Sequence, residues 1–187
     1  MREASEMPRL PEIDPATATG RAAEQLAEAQ KAMGSVPNLI KVLANSPAAV
    51  KGYLAMNGAL ATGVLPHAVR ERISILTAEL NGCGYCLSAH TFIGGEFAKL
   101  DSDELAAARE GRSSDPHVQA LLSLTRSVVE HRGRDGEQAV AAARAAGVTD
   151  AEITEVVANV ALNVLTNYFN ELAGTDVDFP VVTPHTR

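Results

Sequence analysis

The sequence predicts an all-α protein of about eight to nine helices, and three observations predict it. Its apolar residues, 46% of the 187, are mostly Ala, Leu and Val, while aromatics make up 4% and Trp is absent. Ala and Leu lose little on entering a helix, so their mixture with Glu, Gln and Arg favours close-packed helices over sheets. Apolar positions recur at helical spacing in Val69, Ile73, Leu76 and Leu80, and again in Val118, Leu121, Leu122, Thr125, Val128 and Val129. No segment alternates cleanly enough to read as a strand.

Through Pro15 the chain carries Pro8, Pro11 and Pro15 and reads as an extended arm. A first helix spans about Ala16 to Met33, stopped by Gly34, and Val36-Pro37-Asn38 is a turn before a short helix from Leu39 to Ala44. Ser46 as N-cap and Pro47 at the first helical position open a helix to Ala61, closed by Gly63. Pro66 opens the next, to about Leu80, where Asn81-Gly82 breaks it. Cys83 stands at the start of another that runs to about Leu100. Ser102 is the expected cap of a helix over Asp103 to Glu110, whose first-turn acids suit the helix dipole. Pro116 begins a long amphipathic helix, Arg132 to Gly136 is a turn, and Glu137 to Ala146 is a short Ala-rich helix ended by Gly147. Thr149 and Glu152 form a capping box for the last helix, to about Leu172, and the tail from Gly174 is extended. The whole, residues 1–187, reads as a single helical domain with an arm at 1–15 and a tail at 174–187.

Net charge is −7, with 16 basic residues scattered among 23 acids. Phosphate binding needs clustered Lys and Arg, so nucleic acid is not an expected partner. No stretch is apolar and long enough to span a bilayer, and the first residues lack the apolar run of a signal peptide. The expected compartment is the cytoplasm, where two Cys at C-x-x-C spacing point to redox or metal chemistry rather than a structural staple.

Those two, Cys83 and Cys86, are the only cysteines, and His90 follows four residues on. Offsets of three and seven place all three on one helical stripe. Cys83 and Cys86 are then within reach of a disulfide. Cys83, at the helix start, meets unpaired N–H groups that favour thiolate. Cys86 has an imidazole one turn away, suited to relaying its proton near neutral pH. A carboxylate that orients the His would complete a relay, and Glu71 and Glu79 on the preceding helix are the candidates. Two other readings compete: a pair of small core cysteines beside a satisfied histidine, and a zinc site with a fourth ligand from elsewhere. Structural zinc usually recruits a second close pair of ligands, and His67, His117, His131 and His185 supply none.

The pattern of Glu71, Cys83-Gly-Tyr-Cys86 and His90 resembles the alkyl hydroperoxidase D-like branch of the carboxymuconolactone decarboxylase superfamily. Pro8 to Pro15, Val36-Pro37-Asn38, Ser46-Pro47-Ala48, Tyr53 to Gly58 and Asn167-Tyr168-Phe169-Asn170 extend the likeness over nearly the whole chain, toward peroxidase-related members. The resemblance implies an all-helical fold assembled into homo-oligomers, commonly trimers or hexamers. It implies a peroxidase without prosthetic group or metal, acting on an organic hydroperoxide or hydrogen peroxide with a thiol reductant as partner. By the same likeness Cys86 attacks the peroxide, Cys83 resolves the sulfenic acid to a disulfide, and His90 and Glu71, rather than Glu79, form the proton relay. One position departs: well-characterised peroxidases of this type carry a His immediately before the second Cys, and here it is Tyr85, which removes an imidazole from the dithiol. The decarboxylases of the superfamily lack the Cys pair. A redox-sensing or ligand-binding oligomer without turnover, and a non-redox decarboxylase or isomerase using Glu71 and His90 as acid and base, are the alternatives on the same fold.

The last helix carries a further signal. Glu155, Asn159, Asn163, Thr166, Asn167 and Asn170 form a narrow polar stripe in an otherwise apolar helix. Asn is a poor mid-helix residue, so the stripe predicts burial with hydrogen-bonded partners, in the interior or at a subunit interface.

Overall fold

A computed structural model describes residues 8–185. Among these the fold is all-helical: α1 (Gly20–Met33), α2 (Asn38–Leu43), α3 (Pro47–Ala61), α4 (His67–Leu80), α5 (Gly84–Glu96), α6 (Ser102–Arg109), α7 (Pro116–His131), α8 (Gly136–Ala145) and α9 (Asp150–Ala173). No helix among the described residues is long and apolar enough to cross a membrane.

Helix α4 is the axis of the molecule, packed against α5, α6, α7 and α9. The apolar stripe read from its sequence understates it, because every residue from Ile73 to Glu79 is buried. A helix enclosed on all sides must satisfy its polar groups internally. Thr77 Oγ1 donates to the Ile73 carbonyl at 2.7 Å, and Ser74 Oγ accepts from Asn163 Nδ2 at 3.0 Å. Two apolar clusters meet on this helix. One joins Ile75 and Ala78 to Leu26, Ile40, Val50 and Leu87; the other joins Ile73 and Leu76 to Leu65, Leu121, Leu122 and Val156.

Several boundaries differ from the sequence expectation, each for a local reason. The first helix starts at Gly20 rather than Ala16, because the Asp14 carboxylate and carbonyl close a separate turn on Ala16, Thr17 and Ala18. Helix α5 ends at Glu96, short of Leu100: Lys99 takes a left-handed φ of 59° and Leu100 N–H returns to the Gly94 carbonyl at 3.0 Å. Helix α6 is capped by Asp101, not Ser102. With Asp101 as cap, Glu104 falls at the third position and completes a capping box; a Ser102 cap would put Leu105 there, which cannot. The Ser46 cap with Pro47, and the Thr149–Glu152 box, form as expected.

Both ends of the described segment are tied down. The arm at 1–15 was expected to be extended; residues 1–7 lie outside the described residues, and Arg9 holds the C-terminus of α9. Its backbone N–H donates to the Ala173 carbonyl at 2.7 Å and its guanidinium to those of Glu171 and Leu172. A cation there meets both the helix dipole and its unpaired carbonyls. The tail after α9 runs across α5: Asp178 accepts from the Tyr85 hydroxyl at 2.8 Å, Val182 N–H donates to Ser88 Oγ at 2.9 Å, and the Phe179 ring stands edge-on to Tyr85.

Candidate active site

The turn that joins α4 to α5 builds the dithiol. Gly82, at φ 69°, adopts a conformation that favours glycine and lets Cys83 N–H return to the Ala78 carbonyl at 3.0 Å. Cys83 is therefore the N-cap of α5 rather than part of the helix, and its Sγ accepts the backbone N–H of Cys86 at 3.3 Å. Both are free thiols, 0% and 3% exposed.

The neighbours of the two sulfurs set them apart. Burial raises the Cys86 thiol, but a hydrogen bond from Cys83, the nearby His90 and the amides of Asn170 and Asn167 together bring it below the usual thiol range. Cys83 moves the other way, pushed up by its hydrogen bond to Cys86 and then by burial. The helix N-terminus was expected to favour a Cys83 thiolate; once one sulfur carries the charge, its buried neighbour is held protonated.

Of the two candidate carboxylates, Glu71 meets the histidine. Glu71 Oε2 lies 2.8 Å from His90 Nδ1. Burial raises the Glu71 carboxyl, yet the charge and hydrogen bonding of His90 and His67 outweigh it and hold it down at about 2. Burial disfavours the His90 cation, and Glu71 overcomes that, so the imidazole is raised. With Nδ1 occupied by Glu71, Nε2 is the nitrogen left for proton exchange. Glu79 is placed in a different role: it accepts from Arg109 Nε at 2.7 Å and from His185 N–H at 2.6 Å, tying α6 and the tail to α4.

Three contributors were not identified as site residues from the sequence. His67 Nε2 stands 3.4 Å from the second oxygen of Glu71, at a spacing of four that could have disclosed it. Tyr53 of α3 is pushed up to about 12 by burial and then by the charges of Cys86 and Glu71, so it stays a neutral phenol. Asn170 Nδ2 donates to Cys86 Sγ at 3.2 Å. The Asn stripe was expected to be buried, and Asn159, Asn163, Asn167 and Asn170 are all at most 4% exposed. Its juxtaposition with the dithiol joins segments 84 residues apart and has no local signal.

Two spaces flank these groups. A cavity of about 50 Å³ is lined by Tyr53, Glu71, His90, Asn163 and Thr166 and is mostly polar, with room for water or a hydroperoxyl group. On the other side a groove of about 660 Å³ runs past Gly84, Tyr85, Asn170, Val177, Val181 and Val182, with largely apolar walls. No cluster of His, Cys, Asp and Glu among the described residues has the arrangement of a metal site.

Residues 47–108, which span α3 to α6 and carry all four candidate residues, match the model of the Carboxymuconolactone decarboxylase family. No curated protein sequence matches the chain. Among solved structures, a peroxidase-related protein with an alkylhydroperoxidase AhpD core, from Ralstonia eutropha JMP134, is 27% identical. The match covers 94% of each chain with a TM-score of 0.79. A peroxidase-related protein from Silicibacter sp. TM1040 is 20% identical over 94% of each chain, at a TM-score of 0.78. The same fold serves other chemistry: the debrominase Bmp8, solved as a cysteine-to-alanine variant with 2,3,4-tribromopyrrole, is 14% identical. It matches over 93% of this chain and 94% of its own, at a TM-score of 0.77.

Proposed function

We propose that this alkyl hydroperoxidase D-like chain, which carries the carboxymuconolactone decarboxylase family pattern over residues 47–108, is a thiol-dependent hydroperoxide reductase. The observation that carries the reading is the 2.8 Å contact of Glu71 with His90, beside the lower-pKa member of a free C-x-x-C pair. In the proposed cycle the Cys86 thiol gives its proton to His90 Nε2 while Glu71 stabilises the imidazolium. The thiolate attacks the near oxygen of the hydroperoxide; the O–O bond breaks, Cys86 becomes a sulfenic acid, and His90 returns the proton to the departing alkoxide. Cys83 then displaces water from the sulfenic acid, giving the Cys83–Cys86 disulfide. An external dithiol reduces it and restores both protons.

The partner is a hydroperoxide, and the apolar groove supports an organic one; hydrogen peroxide fits the smaller cavity. The full 187 residues would act as one domain, in the cytoplasm, where thiols stay reduced. Assembly with copies of itself, as trimer or hexamer, is supported by an exposed apolar row on α9: Val157, Leu165, Tyr168 and Leu172.

Anaerobic thiol titration before and after one equivalent of an organic hydroperoxide tests the reading. Expected are loss of two thiols, an intramolecular Cys83–Cys86 disulfide by peptide mass mapping, and one alcohol formed per disulfide. Single oxidation without dithiol-driven turnover would instead support a redox sensor. An activity that survives alanine at both cysteines would support acid–base chemistry by Glu71 and His90. Because a debrominase shares the fold, a brominated pyrrole belongs in the same assay as a competing substrate.

A further inference from the structure

Tyr85 occupies the position where the resembling peroxidases place an imidazole, and it is committed elsewhere. Its hydroxyl accepts from Leu39 N–H at 3.1 Å and donates to Asp178 at 2.8 Å, and burial pushes its pKa up. The residue therefore straps the tail to α2 and α5 and brings no charge to the thiols. The charge that develops on Cys86 must be met by something else, since an unpaired buried anion is costly.

The last helix supplies it. Asn167 and Asn170, three residues apart, share the inward face of α9 and are 0% and 3% exposed. Asn170 Nδ2 is the 3.2 Å donor to Cys86 Sγ. Asn167 Oδ1 is held by Asn81 Nδ2 at 2.9 Å, which fixes that amide and turns its own nitrogen away from Asn81. That nitrogen has no conventional hydrogen-bond acceptor within reach, although it is buried. A buried amide donor left so is costly, unless it serves an acceptor that appears during the reaction. We propose that Asn167 and Asn170 form a thiolate hole, two neutral amide donors on α9 that carry the negative charge of Cys86 Sγ in place of the missing imidazole.

The chemistry suits the place. A neutral amide stabilises an anion without requiring a second buried charge and stays a donor at every pH. It also explains why Asn, a poor mid-helix residue, stands at both positions. Burial raises the Cys86 thiol, and both amides, after Cys83 and His90, are among the groups that bring it down. The inference rests on Cys86 being the attacking thiol, but its test needs no peroxide.

The test is titration of Cys86 in the full chain carrying Cys83→Ser, by ultraviolet thiolate absorbance against pH. Asn170→Ala should raise the midpoint by about one to two pH units, the scale of one hydrogen bond to a charged group. Asn167→Ala should raise it by less. Asn170→Asp, of nearly the same size, should raise it further than Ala, because a carboxylate opposes a thiolate. This variant keeps the test decisive if Ala unfolds. In the native dithiol, alkylation of Cys86 below the midpoint should fall roughly ten- to hundredfold with Asn170→Ala, the same shift expressed as thiolate fraction. A midpoint unmoved in folded Asn170→Ala or Asn170→Asp overturns the proposal. A shifted midpoint in a protein that never consumes peroxide would leave the thiolate hole standing and overturn the peroxidase reading alone.

Discussion

Helix α4 buries two carboxylates, Glu71 and Glu79, eight residues apart, and gives them opposite company. Glu71 faces two imidazoles, His90 at 2.8 Å and His67 at 3.4 Å. Glu79 faces Arg109 at 2.7 Å, which is always charged, and a backbone N–H from the tail at 2.6 Å. Both are at most 8% exposed. What differs is the hydrogen-bonded side chain: an imidazole can release a proton and a guanidinium cannot. The ring of His185 also lies near Glu79, but it stands 3.9 Å away and is largely exposed. A carboxylate locked to guanidinium fixes architecture; one shared with imidazoles can modulate a proton transfer without leaving its place.

The largest losses of activity are expected at the Glu71 end. Glu71→Gln and His90→Ala should each slow peroxide reduction by about 10²–10⁴, the usual worth of acid–base assistance, and leave the protein folded. The double variant should lose little more than the worse single one, since both act on one proton. Steady-state peroxide consumption with a dithiol reductant measures this. Additive losses would mean that the two groups do not form one relay.

Glu79→Ala should do the reverse. It leaves Arg109 and the tail amide without their buried acceptor, and the expected cost is about 2–3 kcal/mol, less than for a fully enclosed pair because Arg109 is partly exposed. Denaturant unfolding reads that cost. Turnover per folded molecule should stay near wild type, and a crippled but stable Glu79→Ala would invert the assignment of the two carboxylates.

A third test uses pH. Glu71 is held at about 2 against an ordinary 4.5, so its contribution is complete above pH 4.5 and fades as pH falls toward 2. His90 is raised above its ordinary 6.5, so its contribution is complete below that and fades as pH climbs through the folded value. The stability gap between wild type and Glu71→Gln should therefore be widest between about pH 4.5 and 6.5 and narrow on both sides. Melting temperatures across pH check it. A gap that keeps growing above pH 7 would show that His90 is neutral in its contact with Glu71.

Much of this architecture was legible in sequence because its causes are local. Ser46-Pro47 and Thr149 with Glu152 announced helix starts, and C-x-x-C with His90 announced the dithiol within eight residues. The all-helical fold followed from composition and spacing. What stayed hidden depends on which segments meet. Spacing alone left Glu71 and Glu79 equal; only the position of Arg109 on α6, and of the tail beside it, gives Glu79 its structural partners. The Asn stripe was readable as buried but not as facing Cys86, because the packing of α9 on α5 is a tertiary fact. The Asp101 cap was missed where two adjacent residues could both cap and only the position of Glu104 decides.

The smallest expected effect concerns His67, and it sharpens what Glu71 is for. His67 touches the outer oxygen of Glu71 at 3.4 Å, and its side chain is 43% exposed. A contact of that length to a half-exposed imidazole is worth about 0.2–1 kcal/mol. If His67 only steadies the carboxylate so that Oε2 stays on His90, His67→Gln should lower turnover by no more than about fivefold, the kinetic equivalent of that energy. The apparent pKa of the rate profile should move slightly, because Glu71 loses a neighbour that lowers its own. Rates measured across pH, together with the solvent deuterium isotope effect, distinguish this from a larger role. A loss as deep as that of His90→Ala, restored by added imidazole, would mean that the proton travels on through Glu71 to solvent. Glu71 would then be a conductor rather than an anchor, and the contrast with Glu79 would be greater still.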